Sequence, residues 1–334
     1  FIFCFFELGK KFKKPLIIFF KFLIVSSTLY YLVKSGRLNF DKLMLFTESP
    51  TTLGMIFSVF FFAIVPLGSI RWWLLLGAIG IPIKAKQAFF LTWIGNFFNT
   101  TLPGAVTGDL VKGYYVVKAN QEKERTRAFI TLIIDRFVGL FGLVIMAFFS
   151  LVFNYELIFY RENLQSLASM VIGLFSLTII FFIFVIFPFR EEKDPIIWIF
   201  NRLPGKKFSK KIYFSFRRYK NKKIILFASL LISILIHTLV GIIFFHITKL
   251  MDIKGMDLAT QFFLMPIGLI SVALPLAPGG IGIGHAAFES LYQIAGLTGG
   301  ADVFNLYIIV QLGVYLLGGI PYFLYGSKYK IPKG

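Results

Sequence analysis

The sequence predicts an all-α polytopic membrane protein with six full spans, two re-entrant (broken) helical hairpins and both termini in the cytoplasm. Three observations lead there: long apolar stretches, two apolar runs interrupted by proline and glycine, and an uneven distribution of Lys and Arg. Of 334 residues, 57% are hydrophobic and 15% are charged. Soluble domains are roughly 45–50% apolar and about 25% charged. The composition therefore excludes a soluble enzyme, a disordered chain and a secreted disulfide scaffold.

The spans are the first elements to place, because a spanning helix needs about 20 mostly apolar residues. Stretches of this kind separate the charged segments along the chain. The first apolar stretch of the chain could also be read as a signal peptide, but no small-x-small cleavage site follows it. The six predicted spans are residues 16–33, 49–70, 128–155, 163–189, 224–248 and 303–327.

Two further uncharged stretches, residues 87–108 and 258–284, end in runs dense in proline and glycine, which stop helices. If the first crossed fully, the basic loop at 112–127 would lie outside the cell. We therefore predict a hairpin that enters from the cytoplasm, turns at 102–108 and returns to about residue 119. The second is predicted to enter from outside and to turn at 275–284. Two full crossings by this second stretch would leave the last span in the same orientation, and they remain an alternative.

Lys and Arg set the orientation, since cytoplasmic connections carry an excess of both. Connections assigned to the cytoplasm hold 27 of these residues and the opposite side holds six. Residues 190–223 alone contain twelve, with three acidic residues. This segment is predicted to lie on the cytoplasmic surface, either as a simple anchor or bound to anionic headgroups. The expected location is a bacterial-type cytoplasmic (inner) membrane.

The order of elements predicts an internal repeat within a single membrane domain over residues 1–334. Residues 12–155 read as span, span, hairpin, span, and residues 163–327 repeat that order with opposite orientation. Such a pattern is typical of inverted-topology transporters. The alternative is an irregular bundle whose parity coincides by chance.

The two broken turns are the candidate functional region. Irregular backbone at membrane depth must pack within protein or line a wet cavity. A helix that starts there presents free N–H groups and a positive dipole end, which attract anions. The sequence therefore predicts an anion site between the turns. The alternative is that the polar residues of the first turn only cap their own hairpin; these are Asn99, Thr100, Thr101 and Asp109.

Charged residues inside a span give a second indication. Asp135 and Arg136 lie about 12 Å below the cytoplasmic end of the third span. Such residues usually face the bundle interior, because each costs about 2.5–3.5 kcal/mol at the helix centre. Asp109 is the expected partner of Arg136, through an ion pair that is compatible with headgroup contact. Arg71 and the two tryptophans after it read as an interfacial belt.

His285 and Glu289 are four residues apart and share one face of the helix after the second turn. We expect either a proton-titrating or headgroup-contacting pair or a buried hydrogen-bonded pair, with Gln311 facing the same cavity. No metal site or cofactor is predicted, because a metal needs at least three protein ligands. The predicted substrate-binding residues are Asn99, Thr101, Gly104, Gly108, Asp109, Asp135, Arg136, Gly280, Gly282, His285, Glu289 and Gln311.

Taken in order, these motifs resemble the flippase-like membrane family that includes the transmembrane region of lysylphosphatidylglycerol synthase. The resemblance covers about residues 12–327. It implies an inner-membrane protein that moves or supplies lipids, among them aminoacylated phosphatidylglycerol and polyprenyl-linked sugars. The matching residues are Arg71-Trp72, Asn99-x-x-Leu102-Pro103-Gly104-x-x-x-Gly108-Asp109, Asp135-Arg136-x-x-Gly139 and Pro278-Gly279-Gly280-Ile281-Gly282.

The sequence departs from the family pattern at two positions. Many members carry Arg-Glu where this chain has Gly284-His285, and an Arg near the position of Gln311. Two missing cations argue against assuming lysylphosphatidylglycerol as the substrate. Because no aminoacyl-transferase domain follows the last span, we also expect no synthesis of that lipid.

Together these features predict a lipid translocase, not an enzyme, that moves an anionic phospholipid or a polyprenyl-linked lipid. The expected partners are membrane lipids and no nucleic acid. Movement would be passive or coupled to protons or ions. The alternatives are a membrane-embedded enzyme that transfers a lipid-linked group and a small-solute secondary transporter.

Overall fold

The fold is helical throughout the part of the chain that the computed structural model describes. That part comprises residues 34, 42, 44–101, 107–119, 125–159, 162–186, 194–202, 210, 213–214, 216–273 and 280–325, and it contains no strand. The first predicted span, residues 16–33, lies outside the described residues. So do residues 102–106 of the first predicted turn, including Gly104, and residues 275–279 of the second.

Fourteen α-helices are described, with a π-helix at Phe60–Ile64 and a 3-10 helix at Arg218–Lys222. They are α1 Met44–Glu48, α2 Pro50–Val59, α3 Val65–Ala78, α4 Ala85–Thr101, α5 Thr107–Ala119, α6 Arg125–Phe153, α7 Tyr155–Phe159, α8 Glu162–Ile186, α9 Pro195–Arg202, α10 Lys223–Leu250, α11 Leu258–Ala273, α12 Ile283–Ile294, α13 Gly300–Leu316 and α14 Gly319–Tyr325.

Five helical segments are long and apolar enough to cross a membrane, and they correspond to the last five predicted spans. This confirms a polytopic membrane protein. The segments are Pro50–Ala78, Arg127–Phe153, Glu162–Val185, Arg218–Leu250 and Gly300–Leu324. The first of them passes through the π-helix just before Pro66, whose missing N–H interrupts the regular hydrogen-bond ladder.

Helices α4 and α5 form a tight antiparallel hairpin, as the Pro/Gly run predicts. Their backbones meet at two glycines: a Cβ on Gly108 would lie 1.8 Å from the carbonyl oxygen of Gly95. The Gly108 N–H also donates to Asn99 Oδ1 at 2.8 Å. Asn99 therefore closes the hairpin beside its turn, and no larger residue fits at position 108.

Helices α11 and α12 form a second hairpin with the same construction. Gly268 lies against the ring of Phe288, where an added Cβ would approach ring carbons to 2.6 Å. The N-terminal end of α12 needs glycine for its backbone, with φ +91° at Gly282. Further along, Tyr292 donates to Gln261 Oε1 at 2.8 Å. This buried hydrogen bond ties the two arms together away from the turn.

Three long segments, α3, α6 and α10, pack around the centre of the molecule. A face of α6 that carries polar and small residues mediates this packing. Thr131 accepts a hydrogen bond from Trp72 of α3, and Gly142 lies so close to α10 that a Cβ would meet that of Ser233 at 2.6 Å. The small residues of α6 therefore let the two neighbouring helices approach closely.

The described part of the basic segment at 190–223 contains a short amphipathic helix, α9. It buries Ile196 and Ile197 and exposes Trp198. Asp194 accepts hydrogen bonds from the backbone N–H of Ile196 at 3.0 Å and from the hydroxyl of Tyr213 at 2.6 Å. Burial, and then this hydrogen bond to the carboxylate, raise the pKa of Tyr213 above its usual value.

We predict that Gly108→Ala lowers the free energy of unfolding by at least about 3 kcal/mol, because the added methyl group would collide with backbone of α4. Thermal unfolding in detergent measures the effect. The control is Gly173→Ala in α8, where no atom lies within 4 Å of the new Cβ. That change should be neutral or stabilise by up to about 1 kcal/mol. Equal stability of the two variants would contradict the close approach of α4 and α5.

Candidate functional site

A cavity of about 650 Å³ lies among α3, α6 and α10, and we call it the central cavity. Residues of α4 and α5 form one side of its wall, and Ala273 at the end of α11 contributes from the second hairpin. Most of the lining is apolar. The polar side chains in the wall come from six different helices, so the site exists only in the folded bundle.

Arg71 is a cation of the central cavity that bonds to side chains of two other helices. Its Nε and Nη2 donate to the two carboxylate oxygens of Asp135, at 2.7 and 3.1 Å. Its Nη1 donates to Ser233 Oγ at 2.8 Å. The side chains of Arg71 and Asp135 are only 13% and 12% exposed. This bidentate pair therefore links α3, α6 and α10 inside the apolar spans.

Asp109 is the second carboxylate, and it contacts two cations. Lys112 Nζ lies 2.9 Å from Asp109 Oδ1, and Arg136 Nε donates to Asp109 Oδ2 at 2.5 Å. The predicted Asp109–Arg136 ion pair is therefore confirmed. Lys112 also lies over the ring of Trp72, 5.0 Å from its centroid. Helix α5, the returning arm of the first hairpin, is thus held against α6 and α3 by electrostatic contacts as well as by packing.

The ionisable side chains that the structure describes in this group are three cations, Arg71, Lys112 and Arg136, and two carboxylates, Asp109 and Asp135. Cations therefore outnumber carboxylates among these five described side chains. Arg136 is the most accessible of the five, with 34% of its side chain exposed. Because the excess charge lies beside an apolar cavity, the arrangement suits an anion more than a cation.

The other residues predicted around the first turn have local roles. Asn99 and Gly108 close the hairpin, as described above. The hydroxyl of Thr101 donates to the carbonyl of Phe97 in its own helix at 2.9 Å. Gln311 lies beside the central cavity and donates to the hydroxyls of Tyr307 and Tyr315, and Tyr315 is part of the wall.

The residues predicted around the second turn are not in the wall of the central cavity. His285 Nδ1 accepts from the backbone N–H of Gly282 at 3.3 Å, and Nε2 lies 3.3 Å from Asn305 Oδ1. Glu289 accepts from the N–H of Ala301 at 3.0 Å, near the start of α13. His285 therefore caps α12 while Glu289 caps α13, and the expected shared role is not what the geometry shows.

Gly280 and Gly282 likewise serve the turn. Gly280 has φ +71°, and a Cβ there would meet Val272 at 2.1 Å. Across the described residues no group of three His, Cys, Asp or Glu side chains is placed to hold a metal ion.

A comparison with protein families supplies the identity of the fold. The model of the family described as "Lysylphosphatidylglycerol synthase TM region" matches residues 18–317. The chain belongs to the lysylphosphatidylglycerol synthase transmembrane-region family. Neither the curated proteins nor the solved structures gave a match to this chain. The matched range includes both hairpins and every residue of the central cavity named above.

In this member of the lysylphosphatidylglycerol synthase transmembrane-region family, sequence reasoning missed two site cations. Arg71 was predicted to follow the second span, but the helix runs on to Ala78. The predicted interfacial belt is wrong for Arg71 and Trp72, since Trp72 is 1% exposed. Lys112 was counted as a loop charge. Its position three residues after Asp109 was the available signal, because side chains three apart in a helix are neighbours.

We predict that Asp135→Asn lowers the free energy of unfolding by about 3–5 kcal/mol, because it leaves the buried Arg71 without a counter-charge. Thermal unfolding in detergent is the measurement. Glu156→Gln is the control, since that exposed carboxylate contacts only its neighbour Tyr155 among the described residues. The double variant Arg71→Gln/Asp135→Asn should lose less than the sum of its single changes. Strict additivity would contradict a direct Arg71–Asp135 interaction.

Proposed function

We propose that this protein is a lipid translocase that moves an anionic or phosphate-bearing lipid across the cytoplasmic membrane. In this proposal the headgroup occupies the central cavity while the acyl chains stay in the bilayer. The observation that carries it is that cations outnumber carboxylates, three to two, among the described ionisable side chains at a cavity built within the apolar spans. Family membership supports a lipid-related role.

The chemistry of the cavity supports an anionic headgroup. Ionisable groups within membrane segments are costly and usually mark a pathway for a substrate or ion. A phosphodiester carries one negative charge, which equals the excess positive charge of the five ionisable side chains. Arg136 is the accessible member of that group, and its guanidinium suits a phosphate because it presents paired N–H donors.

The contacts between helices support an inverted repeat of the two halves. We pair α3 with α10, α4 with α11, α5 with α12 and α6 with α13. Exchanging the partners turns four contacts into other observed contacts: α3–α4 into α10–α11, α5–α6 into α12–α13, α3–α6 into α10–α13, and α6–α11 into α13–α4. The counterpart of α6–α10 is met by α13 packing against α2 and the π-helix, which belong to the same span as α3. An irregular bundle has no reason to preserve contacts under this exchange.

The direction of the paired helices supports inversion in particular. Leu75 near the end of α3 accepts from Tyr219, just before α10, while Phe60 before α3 and Phe244 late in α10 both pack against Tyr307. The equivalent helices α3 and α10 therefore run antiparallel. A two-fold axis that relates them is perpendicular to both, and so lies in the membrane plane.

In the proposed topology each hairpin is re-entrant, and the two enter from opposite faces. Helices α4 and α5 have 17 and 13 residues, and α11 and α12 have 16 and 12. The lengths correspond to about 18–26 Å, which is less than the roughly 30 Å hydrocarbon core. Alternating exposure of the cavity would then come from movement of one half against the other, passively or coupled to ions.

Cysteine labelling tests this topology in a Cys4→Ser background. Single cysteines replacing the exposed Lys86 and Lys118 should react with an impermeant maleimide from the cytoplasmic face. Cysteines replacing Asp252 and Gln293 should react from the opposite face. Labelling of positions 86 and 118 from opposite faces would contradict the first re-entrant hairpin. If the second pair of helices crossed fully, a cysteine at Ala286 would react from the cytoplasmic face.

Transport is tested with the purified protein in liposomes that contain a labelled phosphatidylglycerol. We expect the wild-type protein to exchange this lipid between leaflets, and Arg136→Gln and Asp109→Asn to reduce the rate at least about tenfold. A charge-assisted hydrogen bond is worth about 1.5–3 kcal/mol, and tenfold corresponds to about 1.4 kcal/mol. The readout is the fraction of label that a reductant in the outer solution can bleach over time.

The matched control is Arg202→Gln, which removes an exposed cation that stacks on Trp198 on the surface segment. Its rate should equal that of the wild-type protein. Unchanged exchange in both site variants would remove Asp109 and Arg136 from the mechanism. A new lipid product, detected by mass spectrometry of the same vesicles, would favour a membrane-embedded enzyme instead.

A further inference from the structure

Thr92 has an unusual hydroxyl in the wall of the central cavity. Buried threonines in helices commonly donate to the carbonyl four residues earlier. Thr92 is 7% exposed, yet its Oγ1 has no partner in the described part of the chain. The threonines that do bond back in this way are Thr100, Thr101, Thr178, Thr238 and Thr248.

His237 presents a second unpartnered atom in the same wall. Its Nε2 lies 3.1 Å from the carbonyl oxygen of Gly139. A carbonyl only accepts, so Nε2 carries the hydrogen and Nδ1 of the neutral ring is an acceptor. That Nδ1 is buried without a partner among the described residues. Because an unsatisfied buried acceptor is unfavourable, this atom is suited to receive a hydrogen bond from a ligand.

Asn96 completes the group, since it lies one helical turn after Thr92 on the same face of α4 and also lines the cavity. The described structure shows no hydrogen bond from its side-chain amide. Thr92, Asn96 and His237 therefore place uncharged hydrogen-bonding groups on two helices, α4 and α10, around a cavity whose cations come from α3, α5 and α6. We call these three residues the neutral subsite.

The surrounding charge restricts what the neutral subsite can accept. A group that donates to His237 Nδ1 is either a hydroxyl or an ammonium. Arg71 lies beside Gly139, the residue that binds His237, with its Nη1 3.4 Å from the position of a Cβ there. The guanidinium of Arg71 is therefore close to His237, and it would repel an added ammonium but not a hydroxyl.

We propose that the neutral subsite binds hydroxyl groups of the transported headgroup, so that the preferred substrate is an anionic phosphodiester lipid with a hydroxylated, uncharged headgroup. The phosphate contacts the cations, and the hydroxyls contact Thr92, Asn96 and His237. This inference rests on the proposed function, because it assigns the substrate class of the same cavity. Headgroups that end in an ammonium, and headgroups without hydroxyls, are the disfavoured classes.

Three lipids with identical acyl chains test the inference: phosphatidylglycerol, phosphatidylmethanol and phosphatidylethanolamine. The first two have the same charge and differ in hydroxyls. We expect wild-type protein to bind phosphatidylglycerol about tenfold more strongly than phosphatidylmethanol, as measured by competition in native mass spectrometry. That factor corresponds to one or two neutral hydrogen bonds. Phosphatidylethanolamine should bind most weakly, and leaflet exchange in liposomes should follow the same order.

The variants separate the neutral subsite from the cations. Thr92→Val and His237→Gln should each lower the preference for phosphatidylglycerol to about threefold or less, with binding of phosphatidylmethanol unchanged. Thr92→Ser keeps the hydroxyl and should therefore keep the preference. A loss of preference in Thr92→Val but not in Thr92→Ser is then due to the missing hydroxyl and not to misfolding. Thr238→Val is the control, because that hydroxyl bonds to its own helix at Ile234.

The outcomes distinguish this inference from the proposed function. Equal binding of phosphatidylglycerol and phosphatidylmethanol by wild-type protein, or an unchanged preference in Thr92→Val and His237→Gln, overturns the neutral subsite. Stronger binding of phosphatidylethanolamine overturns the exclusion of an ammonium. Selective binding without leaflet exchange of any lipid supports the subsite and refutes translocation.

Discussion

Arg71 and Asp135 form the interaction on which the centre of the molecule depends, since two charges can lie within apolar spans only when each neutralises the other. Their bidentate contact also holds Ser233, so that it joins α3, α6 and α10 at one point. The space between these helices is the central cavity. Asp135 is paired with Arg71 and Asp109 is shared between Lys112 and Arg136, so that three cations meet two carboxylates among the described side chains. Burial of these charges is tolerable because the carboxylates neutralise cations, and the same pairing leaves cations as the more numerous charge at the site.

Glycine makes this electrostatic arrangement possible, because Asp109 and Lys112 reach the centre on a hairpin arm rather than on a full span. The arm α5 can lie against α4 only because Gly95 and Gly108 bring the two backbones together. Gly142 has the same effect between α6 and α10, where Ser233 approaches. Close backbone packing replaces the hydrophobic driving force that is absent between helices in lipid. The charges are thus positioned by glycines, which have no functional side chain of their own.

Much of this could be predicted from the sequence. Apolar length and broken Pro/Gly runs gave the helices, and the short connection between Asp109 and Arg136 gave their ion pair. Arg71 could not be placed, because charge marks the end of a span in hydropathy reasoning, whereas here the helix continues to Ala78 with the charge neutralised by Asp135. The partners of His285 and Glu289 were also beyond reach, since Asn305 and Ala301 belong to another helix and tertiary packing alone decides which end each side chain caps. The proposed role of Thr92 and His237 can be inferred only from the structure, because it depends on two side-chain atoms that have no hydrogen-bond partner among the described residues.

On the proposed inverted repeat, the two halves use equivalent positions differently. Asp109 is two residues after the start of α5, and His285 is two residues after the start of α12. Arg136 and Gln311 both lie eleven residues after the start of their helices, α6 and α13. In the first half these positions form an ion pair, whereas in the second half uncharged side chains bond to Asn305 and to two tyrosines. On the proposed mechanism an anion would therefore stay with the first half throughout the cycle. The second half would move past the anion, because neither of its two equivalent positions carries an Arg or a Lys that could hold the headgroup.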